Sequence, residues 1–410
     1  MNITDQRLLQ IYRDAAIARE RYELLEKNYI KTFGEADLCF FTSPGRTEIV
    51  GNHTDHNGGR VIAGSISMDT IAAASQSGNS IVRIVSEGYE EKIEIDLDRL
   101  EFEKPGKGTR PLVVGILKGM EIQGYKLGGF DAYVSSNVIA AAGVSSSASF
   151  EMLICSVIDC FFNEGKMNYI EYAKAGQYSE NHFWGKKSGL MDQLACAVGG
   201  VIKLDFNGEV SYKKVDFDLD NFDYSFILVN SRSSHADLSN EYSSVPEEMY
   251  KVAEALSGKR LCDVTLDELL KRLNEVNNKV GNDRAILRAI HFFEENDRVD
   301  RMETAMRDKN TVEMLKIIEE SGNSSYKKLQ NCIVTGNVED QSVALNLGIS
   351  EYLNHKLKGV CRVHGGGFAG VILEVVPNDN MNEYINRMSE YAGSDNVYPL
   401  NIRKTGAVKL

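Results

Sequence analysis

Residues 137–150 read Asn-Val-Ile-Ala-Ala-Ala-Gly-Val-Ser-Ser-Ser-Ala-Ser-Phe. Before this stretch, Phe130, Ala132 and Val134 alternate with Asp131, Tyr133 and Ser135, which is the period of a strand. After it, Phe150, Leu153, Ile154, Val157, Ile158 and Phe161 recur at the spacing of one helix face. A small-residue loop closed by three serines therefore joins a strand to a helix with a buried face. The first N–H groups of a helix lack internal partners and carry the positive end of the peptide dipoles. Small residues let an anion such as phosphate come close to them. The serine hydroxyls can donate to phosphate oxygens or bind a metal ion. Taken alone, the stretch also reads as a serine-capped helix after a tight turn, since Ser is a common N-cap. The rest of the chain decides between the two.

At 410 residues the chain is long for one core, and two domains are expected. With 43% hydrophobic residues, 26% charged residues and only 6 prolines, the composition is that of an ordered globular protein. A net charge of −13 argues against a nucleic-acid or anionic-membrane surface. Positive potential for a phosphate must then be local, from helix ends, a few Arg or Lys, and Mg²⁺. The 7 cysteines are odd in number and contain no CxxC pair, so neither a disulfide framework nor a zinc cluster is indicated. Buried free thiols in a reducing compartment fit best. The N-terminal Met-Asn-Ile-Thr-Asp-Gln-Arg has no apolar core for a signal peptide, and no run reaches the roughly 18 apolar residues of a membrane span. A soluble cytoplasmic protein is expected.

In chain order, residues 5–33 read as a helix or helix pair, and Leu38 to Thr42 as a short strand. Residues 43–59 are polar and charged yet lie between apolar strands, as functional loops on a rigid scaffold do. A polar hairpin ending in Gly58-Gly59 is the alternative. Strands are expected over 61–74, 81–86, 201–206 and 226–230, and helices over 111–124, 168–184 and most of 240–320. A carboxylate-bearing loop is expected over 186–193. The cluster Gly365-Gly366-Gly367 reads as a glycine turn after a strand. Composition shifts after about residue 207, which sets domains of 1–207 and 208–410. There is no internal repeat or low-complexity tract.

Three ordered motifs resemble the galactokinase branch of the GHMP small-molecule kinases. That branch has a sugar-binding signature Gly-Arg-x-Asn-Leu-Ile-Gly-Glu-His-Thr-Asp-Tyr-Asn-Gly-Gly, which residues 45–59 match in register from Gly45 to Gly59. Its phosphate loop ends Gly-Leu-Ser-Ser-Ser-Ala-Ser-Leu-Glu, matched by Gly143 to Glu151. Its third motif, Thr-Gly-Ala-Gly-Phe-Gly-Gly, is matched by His364 to Gly370. Further matches fall at 188–193, Glu241-Tyr242, 294–299 and 402–407, so the resemblance covers nearly the whole chain. It implies an α+β fold with an N-terminal ribosomal-protein-S5-like domain, a ferredoxin-like C-terminal domain and the active site between them. The Gly-x-x-x-x-Gly-Lys-Ser/Thr pattern of a P-loop is absent.

The resemblance implies a galactokinase-like enzyme that phosphorylates the anomeric hydroxyl of galactose with ATP. Asp192 would orient or deprotonate the hydroxyl, and Arg46 would hold Asp192 ionised and meet the γ-phosphate. Ser147 and Glu180 would bind Mg²⁺. Gly143, Ser145, Ser146 and Ser147 would cradle the nucleotide phosphates, with Gly365, Gly366 and Gly367 shaping the loop beside them. Asn52, His53, Asp55, Asn57 and Tyr242 would line the sugar pocket. Partners are then a sugar and ATP, with no nucleic acid and no membrane. The oligomeric state is left open, with a monomer slightly favoured.

The chain departs from the branch at several points. Asn52 stands where the branch has the Glu that reads the outer hydroxymethyl group of galactose, and His56 stands for Tyr. Ile139 and Ala141 replace Pro and Gly in the phosphate loop, and Tyr242-Ser243-Ser244-Val245-Pro246 replaces Tyr-Asn-x-Arg-Arg. Losing a carboxylate at position 52 suggests galacturonate or L-arabinose as alternative substrates. A non-catalytic galactose- and ATP-sensing regulator is the alternative from another class; the presence of both Arg46 and Asp192 favours the enzyme.

Overall fold

The computed structural model describes residues 3–139, 143–186, 188–218, 221–232 and 238–410. Its strands are β1 (Cys39–Val50), β2 (Arg60–Gln76), β3 (Ile81–Ser86), β4 (Lys92–Asp96), β5 (Phe130–Ser136), β6 (Val201–Asp205), β7 (Ser211–Val215), β8 (Tyr224–Asn230), β9 (Val360–His364), β10 (Val371–Pro377), β11 (Val397–Leu400) and β12 (Val408–Lys409). They form an eight-stranded sheet of order β12-β1-β2-β5-β3-β4, with β6 on β2 and β7 on β6, and a four-stranded sheet of order β11-β8-β10-β9. All pairings are antiparallel except β3 with β5.

Helices α1 (Asp5–Leu9) and α2 (Ala15–Phe33) cover one face of the first sheet, where Phe40, Ile71 and Ala73 meet Leu8, Tyr22, Leu25 and Tyr29. Helices α3 (Thr109–Ile122) and α4 (Ser146–Phe162) cover the other, where Phe41, Ala72 and Ala74 meet Ile116, Leu153 and Val157. The period-2 alternation of β1 and β2 produces this two-sided burial. Beyond α4 come α5 (Tyr169–Ser179), a π-helical turn at Glu180–Trp184, and α6 (Met191–Val198).

The chain between the sheets is mostly helical: α7 (Ser239–Ala255), α8 (Leu266–Lys271), α9 (Leu273–Val280), α10 (Asp283–Arg307) and α11 (Thr311–Ser324). Helices α12 (Ser342–Leu357) and α13 (Met381–Ala392) pack on the outer face of the second sheet, against Ile227, Val229 and Ile372. Its inner-face residues Phe226, Leu228, Val371 and Leu373 share one core with Ile49, Val50 and Ile62 of the first sheet, Val144 of the 143–147 turn, and Val299 and Met302 of α10. Each fully buried side chain of this size contributes roughly 1.5–3 kcal/mol. That common core fixes the sugar signature against the glycine turn.

Three local expectations change. Strand β1 does not stop at Thr42 but continues to Val50, so residues 43–50 are strand and not loop. Their polar side chains are buried because distant residues supply partners: Thr47 Oγ1 meets His364 Nε2 at 3.0 Å and Glu48 meets Arg362 at 2.6 Å. Asp192 lies in the first turn of α6, not in a loop. The expected division at 207/208 falls inside the β6–β7 hairpin, and β12 returns the C-terminus to the first sheet beside β1.

Candidate active site

The β1–β2 ladder breaks between Pro44 and Arg46 and again between Glu48 and Val50. Such irregularities re-aim side chains. At the first break Gly45 comes so close to the phosphate turn that a Cβ would lie 2.7 Å from the Val144 carbonyl oxygen. The Arg46 N–H donates to that oxygen at 3.1 Å. Arg46 is thereby held at the mouth of the turn, nearly buried.

Its guanidinium meets Asp192 twice, Nη2 at 2.7 Å and Nε at 2.8 Å from Oδ1, and Nη1 donates to the Gly143 carbonyl. The other carboxylate oxygen of Asp192 accepts from Ser145 Oγ. Burial raises the Asp192 pKa, but the charge and hydrogen bonds of Arg46, with Lys186 and Ser145 adding to them, outweigh it and bring it down to about 2. The carboxylate is ionised and one-fifth exposed, at 21%.

Ser145, with a left-handed φ of 58°, is the N-cap residue of α4, but its side chain makes no capping bond because its hydroxyl turns to Asp192. A serine thus stands at the cap position without supplying the usual side-chain cap. The first hydrogen bond leading into the helix runs from Ser149 N to Ser145 O at 3.0 Å, with Ser146 opening the first turn. The amide end of α4 points to the side where Arg46 and Asp192 stand, a setting suited to an anion.

Ser147 Oγ donates to Glu180 Oε1 at 3.0 Å. Glu180 is fully buried in the π-helical turn after α5; Lys186 Nζ reaches the same oxygen at 2.8 Å and Gln193 Nε2 reaches Oε2 at 3.3 Å. Gln193 also donates to Glu151 at 3.0 Å. Burial, and then the neighbouring Glu180, push the Glu151 carboxyl well above the usual range, so it holds a proton. Among the described residues no group of three or more His, Cys, Asp and Glu forms a metal cage. Mg²⁺ does not require one, since it takes one or two carboxylates and substrate phosphates.

In the 45–59 stretch, Asp55 lies against Gly189, where a Cβ would stand 2.2 Å from Oδ2. His53 Nε2 lies 2.8 Å from the Gly366 carbonyl and Nδ1 3.3 Å from His56 Nε2. Burial, then His56, lower the His53 pKa to about 3, so the ring is neutral. A carbonyl only accepts, which assigns the proton to Nε2. His56 Nε2 also lies 3.3 Å from Asp55 Oδ1. Tyr242 donates to the Gly367 carbonyl at 2.8 Å, and a Cβ on Gly366 would strike its ring at 2.5 Å. Gly365 stands next to Gly143, its hypothetical Cβ 3.9 Å from the Gly143 oxygen. The three glycines thus bridge the 143–147 turn and the 45–59 stretch.

Two expected pocket residues are fully enclosed by protein partners. Asn52 is fully buried: its amide donates to the Gly365 carbonyl at 2.6 Å and to Glu48 at 3.2 Å, and its oxygen accepts from Asn331 at 2.8 Å. Asn57 is fully buried under the helical segment, accepting from Leu261 N at 3.2 Å and contacting Met249 Sδ at 3.6 Å. Ala141 and Lys187 lie outside the described residues.

Other participants escaped sequence reasoning. Lys186, Gln193 and Glu151 surround Glu180, and Glu48 and Arg362 hold Asn52 in place. One signal was available: the branch signature has Asn at position 48 and Glu at position 52, and this chain has the two exchanged.

The galactokinase galactose-binding signature matches residues 27–76 and the GHMP kinases N terminal domain matches residues 111–200. A galactokinase of Clostridium tetani (strain Massachusetts / E88) is 32% identical over 375 residues, 89% of this chain and 91% of that protein. One from Clostridium perfringens (strain 13 / Type A) is 30% identical over 387 residues, 89% and 92% of the two chains. The crystal structure of Lactococcus lactis galactokinase complexed with galactose superposes with a TM-score of 0.82 at 24% identity, over 95% of this chain and 100% of that one. A mevalonate kinase superposes at 0.61 with 14% identity, over 89% and 99%. The structural likenesses establish the GHMP kinase fold, a mixed α+β architecture. At the identity shared with the Clostridium enzymes over most of both chains, the protein belongs to the galactokinase branch of the GHMP kinases.

Proposed function

We propose that the protein transfers the γ-phosphoryl group of ATP to the anomeric hydroxyl of galactose, giving galactose 1-phosphate. The carrying observation is the ionised Asp192, paired with Arg46 at 2.7 Å and standing at the mouth of the 143–147 turn. Phosphoryl transfer asks mainly for positioning and charge neutralisation. Asp192 grips the attacking hydroxyl and Arg46 faces the transferring group. A carboxylate with so low a pKa is a weak base for an alcohol, so the proton leaves late and Asp192 acts first by orientation.

Ser147 Oγ and Glu180 Oε1 are two hard oxygen donors 3.0 Å apart, one of them anionic, and they suit Mg²⁺. Bound there with ATP, the ion supplies neutralisation of phosphate charge. Asp55, His53 and Tyr242 line the sugar side. Because Asn52 takes its partners from the protein, its identity no longer argues for galacturonate or L-arabinose, and galactose stays first.

We divide the chain into one unit of residues 3–215 plus the C-terminal tail and another of residues 224–400, with the site at their shared core. The seven cysteines are free, which suits a reducing compartment such as the cytoplasm, and no described helix is long and apolar enough to cross a membrane. A sugar panel assayed for ADP release with ATP and Mg²⁺ tests the reading. Galactose turning over fastest is expected. Galacturonate or L-arabinose well above galactose overturns the substrate, and sugar and nucleotide binding without ADP release makes the protein a sensor.

A further inference from the structure

We propose that Lys186 is a phosphate-binding residue of the nucleotide subsite, resting on Glu180 and turning to a nucleotide phosphate oxygen when a nucleotide arrives, with or without a metal ion. The inference rests on the kinase reading above. Lys186 Nζ stands 2.8 Å from Glu180 Oε1, the same oxygen that accepts from Ser147 in the first turn of α4. A positive charge is thus already seated on the pair suited to the divalent cation. Any cation that takes this carboxylate oxygen competes with the ammonium for it.

The two partners are held differently. Glu180 is fully buried, whereas the Lys186 side chain is 46% exposed. Its neighbours are the rim of the site: Nζ lies 5.9 Å from the centre of the Trp184 ring, and its charge acts on Asp192 as well as on Glu180. A purely structural counter-ion for a buried carboxylate would be expected to be buried with it. Lys186 instead reaches in from solvent on a flexible stem with three rotatable donors, the form in which lysine serves as a phosphate ligand. Released from Glu180, its ammonium is free to pair with an incoming triphosphate. It would add a third cationic group to Arg46 and the metal around the transferring phosphoryl.

The chain has a single tryptophan, Trp184, so its emission reports on this corner of the site. The test titrates the intact protein with ATP in excess EDTA, with ATP and Mg²⁺, and with adenosine, reading Trp184 emission and heat. Wild type is expected to bind metal-free ATP. Lys186→Met and Lys186→Gln are each expected to weaken metal-free ATP at least tenfold while leaving adenosine affinity unchanged, and Lys186→Arg to recover most of the loss. Equal metal-free ATP affinity in wild type and the neutral variants overturns the proposal, as do equal losses for ATP and adenosine, which mark a structural role. Wild type that binds ATP only with Mg²⁺ also overturns it and leaves the kinase reading standing. Wild type that binds ATP under neither condition removes the kinase reading itself.

Discussion

Arg46 and Asp192, 146 residues apart in sequence, meet with a guanidinium nitrogen 2.7 Å from a carboxylate oxygen. The contact ties a bulge in β1 to the first turn of α6. For Asp192→Asn, kcat is expected to fall by about 10²–10⁴, the range of a positioned acid/base group. Galactose affinity by calorimetry should stay within a few-fold, since Asp55, His53 and Tyr242 are untouched. Near-normal turnover in that variant would remove Asp192 from the mechanism.

The same pair sets an acid limit. Asp192 has a folded-state pKa of about 2, below its ordinary value, so the stability it contributes is present above roughly pH 4 and is lost as pH falls toward 2. Arg46→Met removes the main influence opposing burial. The carboxyl pKa then rises, by about 1–3 units for loss of so close a cation. The acid limb of the kcat/KM profile is expected to move up by a similar amount. An unmoved limb would assign it to another group.

The motifs put Arg46, Asp192, Ser147 and Glu180 in view from sequence because each belongs to a short pattern whose spacing survives without knowledge of the fold. The strand–turn–helix around Ser145 was legible from periodicity alone. The fates of Asn52 and Asn57 were not, because burial there depends on Asn331, Gly365 and Leu261, over 200 residues away. The length of β1 was hidden for the same reason: His364 and Arg362 satisfy polar side chains that in isolation read as a loop. Lys186 carried no pattern; only its distance to Glu180 singles it out.

The exchange of Asn and Glu between positions 48 and 52 reads as a compensated pair. Glu48 bonds both Asn52 and Arg362 in a fully buried setting. Asn52→Glu alone places a second carboxylate there without a second cation, and is expected to cost on the order of 3–5 kcal/mol as an uncompensated buried charge. Glu48→Asn combined with Asn52→Glu restores the charge balance and should recover more than half of the loss. A double-mutant cycle on urea midpoints measures this coupling. Additive losses would mean that the two positions act independently.

Glu374 sits mid-strand in β10, opposite Ile227 of β8 and Cys361 of β9, and is fully buried. Asn354 Nδ2 donates to Oε2 at 3.3 Å, while Oε1 lacks a hydrogen-bond partner among the described residues. Burial pushes its pKa well above the carboxylate range, so the folded protein holds it as the neutral acid. The raised folded pKa fixes the sign: the contribution of the neutral acid is fully present below the unfolded value near 4.3 and is lost as pH rises toward the folded one. Over that window stability falls as pH rises, because unfolding releases the proton. Glu374→Gln keeps the shape and an amide that needs no proton. Its melting temperature is expected to gain on wild type as pH rises above the ordinary carboxylate range, with activity unchanged at saturating substrates. Melting curves that stay parallel as pH rises would show that Glu374 does not titrate between the folded and unfolded states.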